Sequence, residues 1–381
     1  MAYFDNAATS YPKPDEVYSF MDTFYRNYGG NAGRGSYSLA KTAKGIIDET
    51  RTLICELLHC PAKQIVFTPT ATIALNMIIQ GIISKGVHAI YISPFEHNAV
   101  TRTLHHFEKT GQITVTELSV SDTFEYDTER IHYQFDSRRP DLVIISHASN
   151  VTGLIAPVET IFALSKEYGA INVVDMAQTA GLVDLNIGLE TIDFAVFAGH
   201  KTLYGPTGVS GFVMKPDFDL PTTLFGGTGY DSANQNMPAS VPERYEMGTL
   251  NIVGIAGLNA ALRWIKNQTI PKLFADERNK RNNLLTIIQN YPFLKTIGIV
   301  DCREYVGIVS CLMDGISSDS LGGIFAERGI AVRSGLQCAP RAHRFLGTYP
   351  SGTIRFSVNA LTQDKDFEEL KDALDDIRDS L

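Results

Sequence analysis

Seven short apolar runs, separated by stretches of helical periodicity, constrain this chain more than any other feature. QIVFT (64–68), HAIYIS (88–93), ITVTELS (113–119), DLVIISH (141–147), INVVDM (171–176), DFAVFAGH (193–200) and SGFVMK (210–215) are rich in β-branched residues and read as strands. Several are apolar throughout rather than at alternate positions, the pattern of strands covered on both faces in a largely parallel sheet. Between them, TATIALNMIIQGI (70–82) follows a strand directly. PVETIFALSKEYG (157–169) opens on Pro, carries an early Glu and closes on Gly, which are helix start and stop signals. The alternation predicts an α/β fold with a mostly parallel seven-stranded sheet and functional groups at the carboxyl ends of its strands.

The character changes near residue 250. LNIVGIAGLNAALRWIKNQ (250–268) is a long helical pattern, followed by a charged helix (272–290). Strands are predicted in YVGIVSCLMDG (305–315), GIAVRSG (329–335) and TIRFSV (353–358), and an acidic helix over 364–381. We read 14–250 as a large domain, and 1–13 with 251–381 as a smaller α+β domain, because a chain start as short as YFDNAAT needs a neighbouring sheet. A length of 381 residues supplies ample core for both.

With 44% hydrophobic and 20% charged residues the chain is ordinary globular material, not a disordered one. Its net charge of −9 is spread without long single-sign runs and leaves no basic footprint for nucleic acid. No run of 18 apolar residues is present to span a membrane, and MAYFDNAATS lacks the basic and apolar regions of a secretion signal, so a cytoplasmic location is expected. The five cysteines (55, 60, 302, 311 and 338) form no close CxxC pair, which points away from a zinc site and from a disulfide framework. Cys55, Cys60 and Cys311 sit in apolar patterns and read as core filler. Cys338 does not: in VRSGLQCAPRAH it is surrounded by polar residues, with Arg333 and Arg341 to either side. Reactive thiols favour such electropositive, partly exposed settings.

Five strand ends carry residues with chemistry. In FAGHKTLYGPTG (197–208) a lysine, Lys201, follows a buried strand, where an unpaired ammonium is costly. An exposed loop is the plain reading; the sharper one is a lysine that condenses with an aldehyde cofactor. In VVDMAQTAG (173–181), Asp175 closes a strand, with Gln178 three residues on. Asp175 suits a helix cap, or a carboxylate that keeps a pyridine nitrogen protonated. FTPTATIALN (67–76) places hydroxyls at a helix N-terminus, which is a phosphate cradle, or simple capping by Thr70. SPFEHNAV (93–100) offers His97 as a ring to stack on a planar cofactor, or as a structural histidine. SHASNVTG (146–153) offers Asn150 as a hydrogen-bonding group, or as a turn residue. Each has a plain explanation alone, and coincidence across all five is far less probable.

The order of these motifs resembles the cysteine desulfurases, within the class V aminotransferases of pyridoxal phosphate fold type I. The resemblance covers nearly the whole chain, from YFDNAAT and GNAGRGSYSLA (30–40) to RYEMGTLNI (244–252), VRSGLQCAP and IRFSVNALT (354–362). It implies that Lys201 holds pyridoxal 5'-phosphate covalently and moves the substrate α-proton. Asp175 and Gln178 would pair with the ring and His97 would stack on it, while Ala71, Thr72 and His200 bind the phosphate. Thr249 would be lent by the neighbouring subunit of a homodimer. Asn150 and Arg355 would hold the substrate carboxylate, for which the planar Arg fork is better suited than Lys. Cys338 would attack the sulfur of L-cysteine (or selenocysteine), with Arg333 lowering its pKa or steering substrate, to give alanine and a persulfide. Cys338 and Arg355 are close in sequence, which resembles the short-loop group and implies a separate acceptor thiol or protein. Thr70, Leu336, Gln337, Gly33 and Tyr37 depart from the family pattern. The competing readings are another lyase or aminotransferase of the same fold with an incidental Cys338, and a catalytically silent binding module.

Overall fold

Every one of the seven apolar runs is a strand of a single sheet in the computed structural model, which describes residues 1–33, 35–230 and 233–380. In chain order the first elements are β1 (Ala2–Tyr3), α1 (Asp15–Tyr28), α2 (Ser38–Leu57), β2 (Gln64–Thr68), α3 (Ala71–Ser84), β3 (Ala89–Ile92) and α4 (Asn98–Lys109). Next come β4 (Thr114–Glu117), α5 (Thr128–Ser137), β5 (Leu142–Ser146), α6 (Val158–Glu167), β6 (Ile171–Asp175), β7 (Phe194–Ala198) and β8 (Ser210–Met214). The rest are α7 (Ile252–Gln268), α8 (Ile270–Gln289), β9 (Leu294–Ile297), β10 (Ile308–Met313), α9 (Ser318–Glu327), β11 (Ile330–Ala331), α10 (Pro340–Phe345), β12 (Ile354–Ser357) and α11 (Asp364–Asp379).

The strand order is β2-β8-β7-β6-β5-β3-β4. Only β8 is antiparallel to its neighbours, β2 and β7. The link between β7 and β8, residues 199–209, is too short for the crossover a parallel pair requires. Both faces of the sheet are covered, as unbroken apolar runs demand. In β5, Val143 and Ile145 face one core while Leu142 and Ile144 face the other. The second core is closed by α3 and α4 through Ala74, Ile78, Ile82, Val100 and Leu104.

A third core holds Phe4, Leu284, Ile288, Val309, Phe325, Phe356 and Leu374. There β10 lies between β9 and β12 in an antiparallel sheet, and β1 pairs in parallel with β11. The apolar residues of α7, among them Ile255, Leu258, Leu262 and Ile265, join the first core, where the helix packs on α1 and α2. The strand predicted over 329–335 is much shorter than expected. After Ala331 only an isolated bridge between Arg333 and Arg355 remains, and Gly335, at φ +86°, turns the chain away from the sheet direction. Among the described residues no helix is long and apolar enough to cross a membrane.

Candidate active site

The carboxyl ends of β2, β3, β5, β6 and β7 open on one cavity of about 270 Å³. Its lining brings together Ala71, Thr72, His97, Asn150, Asp175, Gln178, His200 and Lys201, all singled out from sequence. Thr249 is not among them. It is exposed and lines a separate cavity beside Phe67 and Glu246. Thr70 caps α3, its hydroxyl accepting from the Ile73 amide at 3.2 Å, and it also lines the cavity. The first amides of α3 have no partner within the helix and lie at its positive end.

Burial lowers the Lys201 pKa to about 8; Arg355 pushes the same way, while Asp175, Cys338 and Asp5 oppose it. Burial raises the Asp175 carboxyl, and an amide hydrogen bond from Ala177 (2.9 Å) and the charge of Lys201 limit the rise. Gln178 is fixed by donating to the Ala7 carbonyl at 3.0 Å. His97 is the N-cap of α4, with Nδ1 accepting from the Ala99 amide at 3.0 Å. Burial and the cations Lys201, Arg102 and Arg355 hold it near pKa 4, so its ring is neutral at pH 7. His200 is also held near pKa 4 by burial, and its Nδ1 is buried without a hydrogen-bond partner.

A second cavity, of about 500 Å³, is lined by Cys338, Arg102 and His106, and shares Thr72 and His97 with the first. Cys338 is exposed. Its carbonyl accepts from the Asn98 amide at 2.7 Å, next to His97, and the Asn150 side chain donates to the Gln337 carbonyl at 2.6 Å. Asn150 Oδ1 is left buried and unpartnered. The thiol loop therefore abuts the Lys201 cavity, although Cys338 and Lys201 are separated by most of the second half of the chain. Tight backbone crossing holds this loop: a Cβ on Gly352 would lie 2.0 Å from the Gly335 carbonyl oxygen.

Arg355 is buried and donates to the Asn150 carbonyl (2.8 Å) and to Asp5 Oδ1 (2.9 Å), with Nε unpartnered. Arg333, half exposed, donates to the other oxygen of Asp5 at 2.5 Å. Asp5 thus fixes both arginines. Removing one member of a buried ion pair strands the other, at about 3–5 kcal/mol. Asp5→Ala is therefore expected to lower unfolding free energy by about that much in a urea titration. A loss for Asp5→Ala below about 1 kcal/mol would contradict the role given to this pair.

Sequence reasoning assigned no role to several groups around the site. Besides Asp5 they include Glu96, buried and raised to about 7 by desolvation, which accepts from Ser93 Oγ, Ser146 N and Ser146 Oγ at 2.6–2.8 Å. They also include Thr9, Ser10 and Lys13, whose side chains all donate to the His200 carbonyl at 3.0–3.3 Å. The contacts of Thr9, Ser10 and Lys13 with His200, of Glu96 with Ser146 and of Asp5 with the two arginines all span long sequence separations, so neighbouring residues carry no signal for them; of these residues only Asp5 and Thr9 fall within the motif YFDNAAT.

The chain is similar to known proteins over almost its whole length. The family model for aminotransferase class V matches residues 2–370. A probable cysteine desulfurase of Pyrococcus abyssi is 29% identical, the alignment covering 100% of this chain and 94% of that protein. The apo structure of cysteine desulfurase from Thermococcus onnurineus NA1 superposes with a TM-score of 0.90 at 27% identity, covering 100% of this chain and 95% of that one. The cysteine desulfurase CsdA (S-sulfonic acid) from Escherichia coli gives a TM-score of 0.85 at 25% identity, covering 100% and 95%. With its mostly parallel seven-stranded sheet and a family match over nearly its full length, the chain belongs to the class V aminotransferases, a family of pyridoxal phosphate-dependent enzymes.

Proposed function

We propose that this enzyme is a cysteine desulfurase, converting L-cysteine to L-alanine while Cys338 takes the sulfur as a persulfide. The observation that carries this reading is the adjacency of the two cavities: Thr72 and His97 line both the one holding Lys201 and the one holding Cys338. The printed names of the relatives and of the similar structures agree with it.

The residues fit pyridoxal 5'-phosphate. The α3 N-terminus with Ala71 and Thr72, and the unpartnered Nδ1 of His200, suit the phosphate. His97 offers a neutral ring face, and Asp175 and Gln178 offer a carboxylate and an amide to the ring. Lys201 supplies the amino group. Thr249, exposed beside a separate cavity, is free to serve a second copy in a homodimer. When bound, the cofactor supplies an electron sink for charge leaving the substrate α-carbon.

The chain's own residues do the rest. Arg355 and Asn150 bind the substrate carboxylate, Arg355 in a bidentate fork held by Asp5. Lys201 carries the α-proton. The Cys338 thiolate attacks the substrate sulfur; the carbon–sulfur bond breaks, its electron pair stays on the carbon skeleton, and protonation there completes alanine. Cysteine and one thiol become alanine and one persulfide, with no external oxidant. Arg333, half exposed and bound to Asp5, offers a cation to steer the substrate carboxylate. Because α10 begins two residues after Cys338, the sulfur is not carried far, and an acceptor thiol or protein must approach it. Turnover in cysteine alone should therefore be slow and rise when acceptor is added; fast turnover with neither acceptor nor reductant speaks against this part.

The direct test is to record the absorption spectrum of the purified protein, add L-cysteine, and assay alanine and sulfide. A visible cofactor band with alanine formed in step with released sulfur supports the proposal; alanine without sulfur, or neither, defeats it. Selenocysteine tried in parallel decides the preferred substrate. A further expectation concerns pH. Lys201 is lowered to about 8, so its free amine, the form that reacts with an aldehyde, becomes the majority above pH 8 rather than above 10.5. Loading of apoprotein, followed by absorbance, should accelerate as pH rises through about 8 and then level off; a rise only above pH 10 would be inconsistent with a desolvated Lys201.

A further inference from the structure

Two consecutive residues bearing a Cβ, Gln337 (φ 40°) and Cys338 (φ 58°), lie in the left-handed backbone region. Side chains disfavour it, and such conformations persist only where the surroundings over-determine them. The surroundings here are specific. The Gln337 side-chain amide donates to the Thr353 carbonyl (2.9 Å) and the Arg333 carbonyl (3.3 Å). These two acceptors fix the orientation of the amide, so Oε1 faces the other way. There it accepts from His343 Nε2 (2.8 Å) and Thr353 Oγ1 (3.3 Å). His343 is completely buried, and its Nδ1 pairs with Thr348 Oγ1 at 2.7 Å. With Nε2 donating, Nδ1 is the acceptor, a neutral tautomer that agrees with a pKa held near 4 by burial. Every polar atom of the Gln337 side chain is thus used. The bonds tie the segment entering the loop (Arg333), the helix leaving it (α10, with His343) and the neighbouring Thr353 to the residue before the nucleophile.

We propose that Gln337 and His343 are positioning residues that hold Cys338 in its left-handed conformation and so aim its sulfur at the Lys201 cavity. Neither touches substrate. This rests on the reading of Cys338 as the sulfur acceptor.

The test compares Gln337→Leu, His343→Leu and His343→Gln holoenzymes. Three readouts are taken: kcat and KM for cysteine, cofactor absorbance, and the rate of iodoacetamide labelling at Cys338 followed by peptide mass spectrometry. Both leucine variants should lose about tenfold or more in kcat with KM changed less than about twofold, since the lost interaction orients the nucleophile rather than binding substrate. Their absorbance should match wild type, and labelling of Cys338 should change at least about threefold as the loop relaxes. The His343→Gln variant keeps a donor at the Nε2 position and should recover most of kcat. Leucine variants that fold and match wild type in both kcat and labelling overturn the proposal, as does a His343→Gln variant no better than His343→Leu. If the leucine variants fail to fold, Thr348→Val, which only unhooks Nδ1, decides: a partial kcat loss at constant KM supports the role, and no change removes it. Failure of the underlying reading is seen separately, as a Cys338→Ser enzyme that still transfers sulfur at the wild-type rate.

Discussion

Replacing Lys201 with alanine is expected to abolish turnover, with kcat falling by about 10⁴-fold or more, because in the proposed function one side chain both anchors the cofactor and moves the α-proton. Its setting allows this effect to be separated from misfolding. Desolvation penalises the charged form of Lys201. In apoprotein below pH 8 the ammonium is therefore a burden on the native state. From pH 8 to 10.5 the unfolded chain would hold a proton on this group that the native state has lost, so the contribution of Lys201 to stability rises with pH across that window. Lys201→Ala apoprotein should accordingly melt no lower than wild-type apoprotein at pH 7, while failing to develop the covalently bound cofactor band. A variant that retains more than about 1% of wild-type kcat would show that another amine does this work.

Replacing Cys338 with serine is expected to stop sulfur transfer, with alanine formation reduced by about 10³-fold or more, since a serine hydroxyl neither ionises near neutral pH nor forms a persulfide. Cys338 lines the cavity next to the one that holds Lys201, not that cavity itself. The cofactor absorbance of the variant should therefore be that of wild type, and its change on adding cysteine should persist, showing that substrate still enters. Cys60 and Cys311 are buried, and Cys302 is exposed outside both cavities; serine at 302 should leave activity unchanged. Unimpaired alanine and sulfide production by Cys338→Ser would make the thiol incidental, and the enzyme would be a lyase of another kind on the same scaffold. Parallel loss of the cofactor band would indicate that the substitution had disturbed the loop rather than the chemistry.

How far these expectations could be reached from sequence varies with the range of the interaction. The seven strands were legible because burial on both faces requires uninterrupted apolar runs, a local pattern. The strand expected over 329–335 ends at Ala331 because its apolar start is followed by a turn at Gly335 and by the distant pairing of Arg333 with Arg355. Asp175, His97, Asn150 and Lys201 stood out because each follows an apolar strand, and a parallel sheet delivers all such ends to one edge. Thr249 was named only through family resemblance, and within a single chain it stays apart from the other residues.

By itself, the sequence determined the large sheet, the family, and the chemical types gathered at the strand ends, since these depend on periodicity and on motifs within a few residues. Only the tertiary structure decided that Asp5 fixes Arg355 and Arg333, that the Cys338 loop abuts the Lys201 cavity, and that Gln337 and His343 pin it. Those contacts join segments brought together by packing, and the buried polar groups in them must find partners wherever the fold places one, a requirement that leaves no mark in the neighbouring residues.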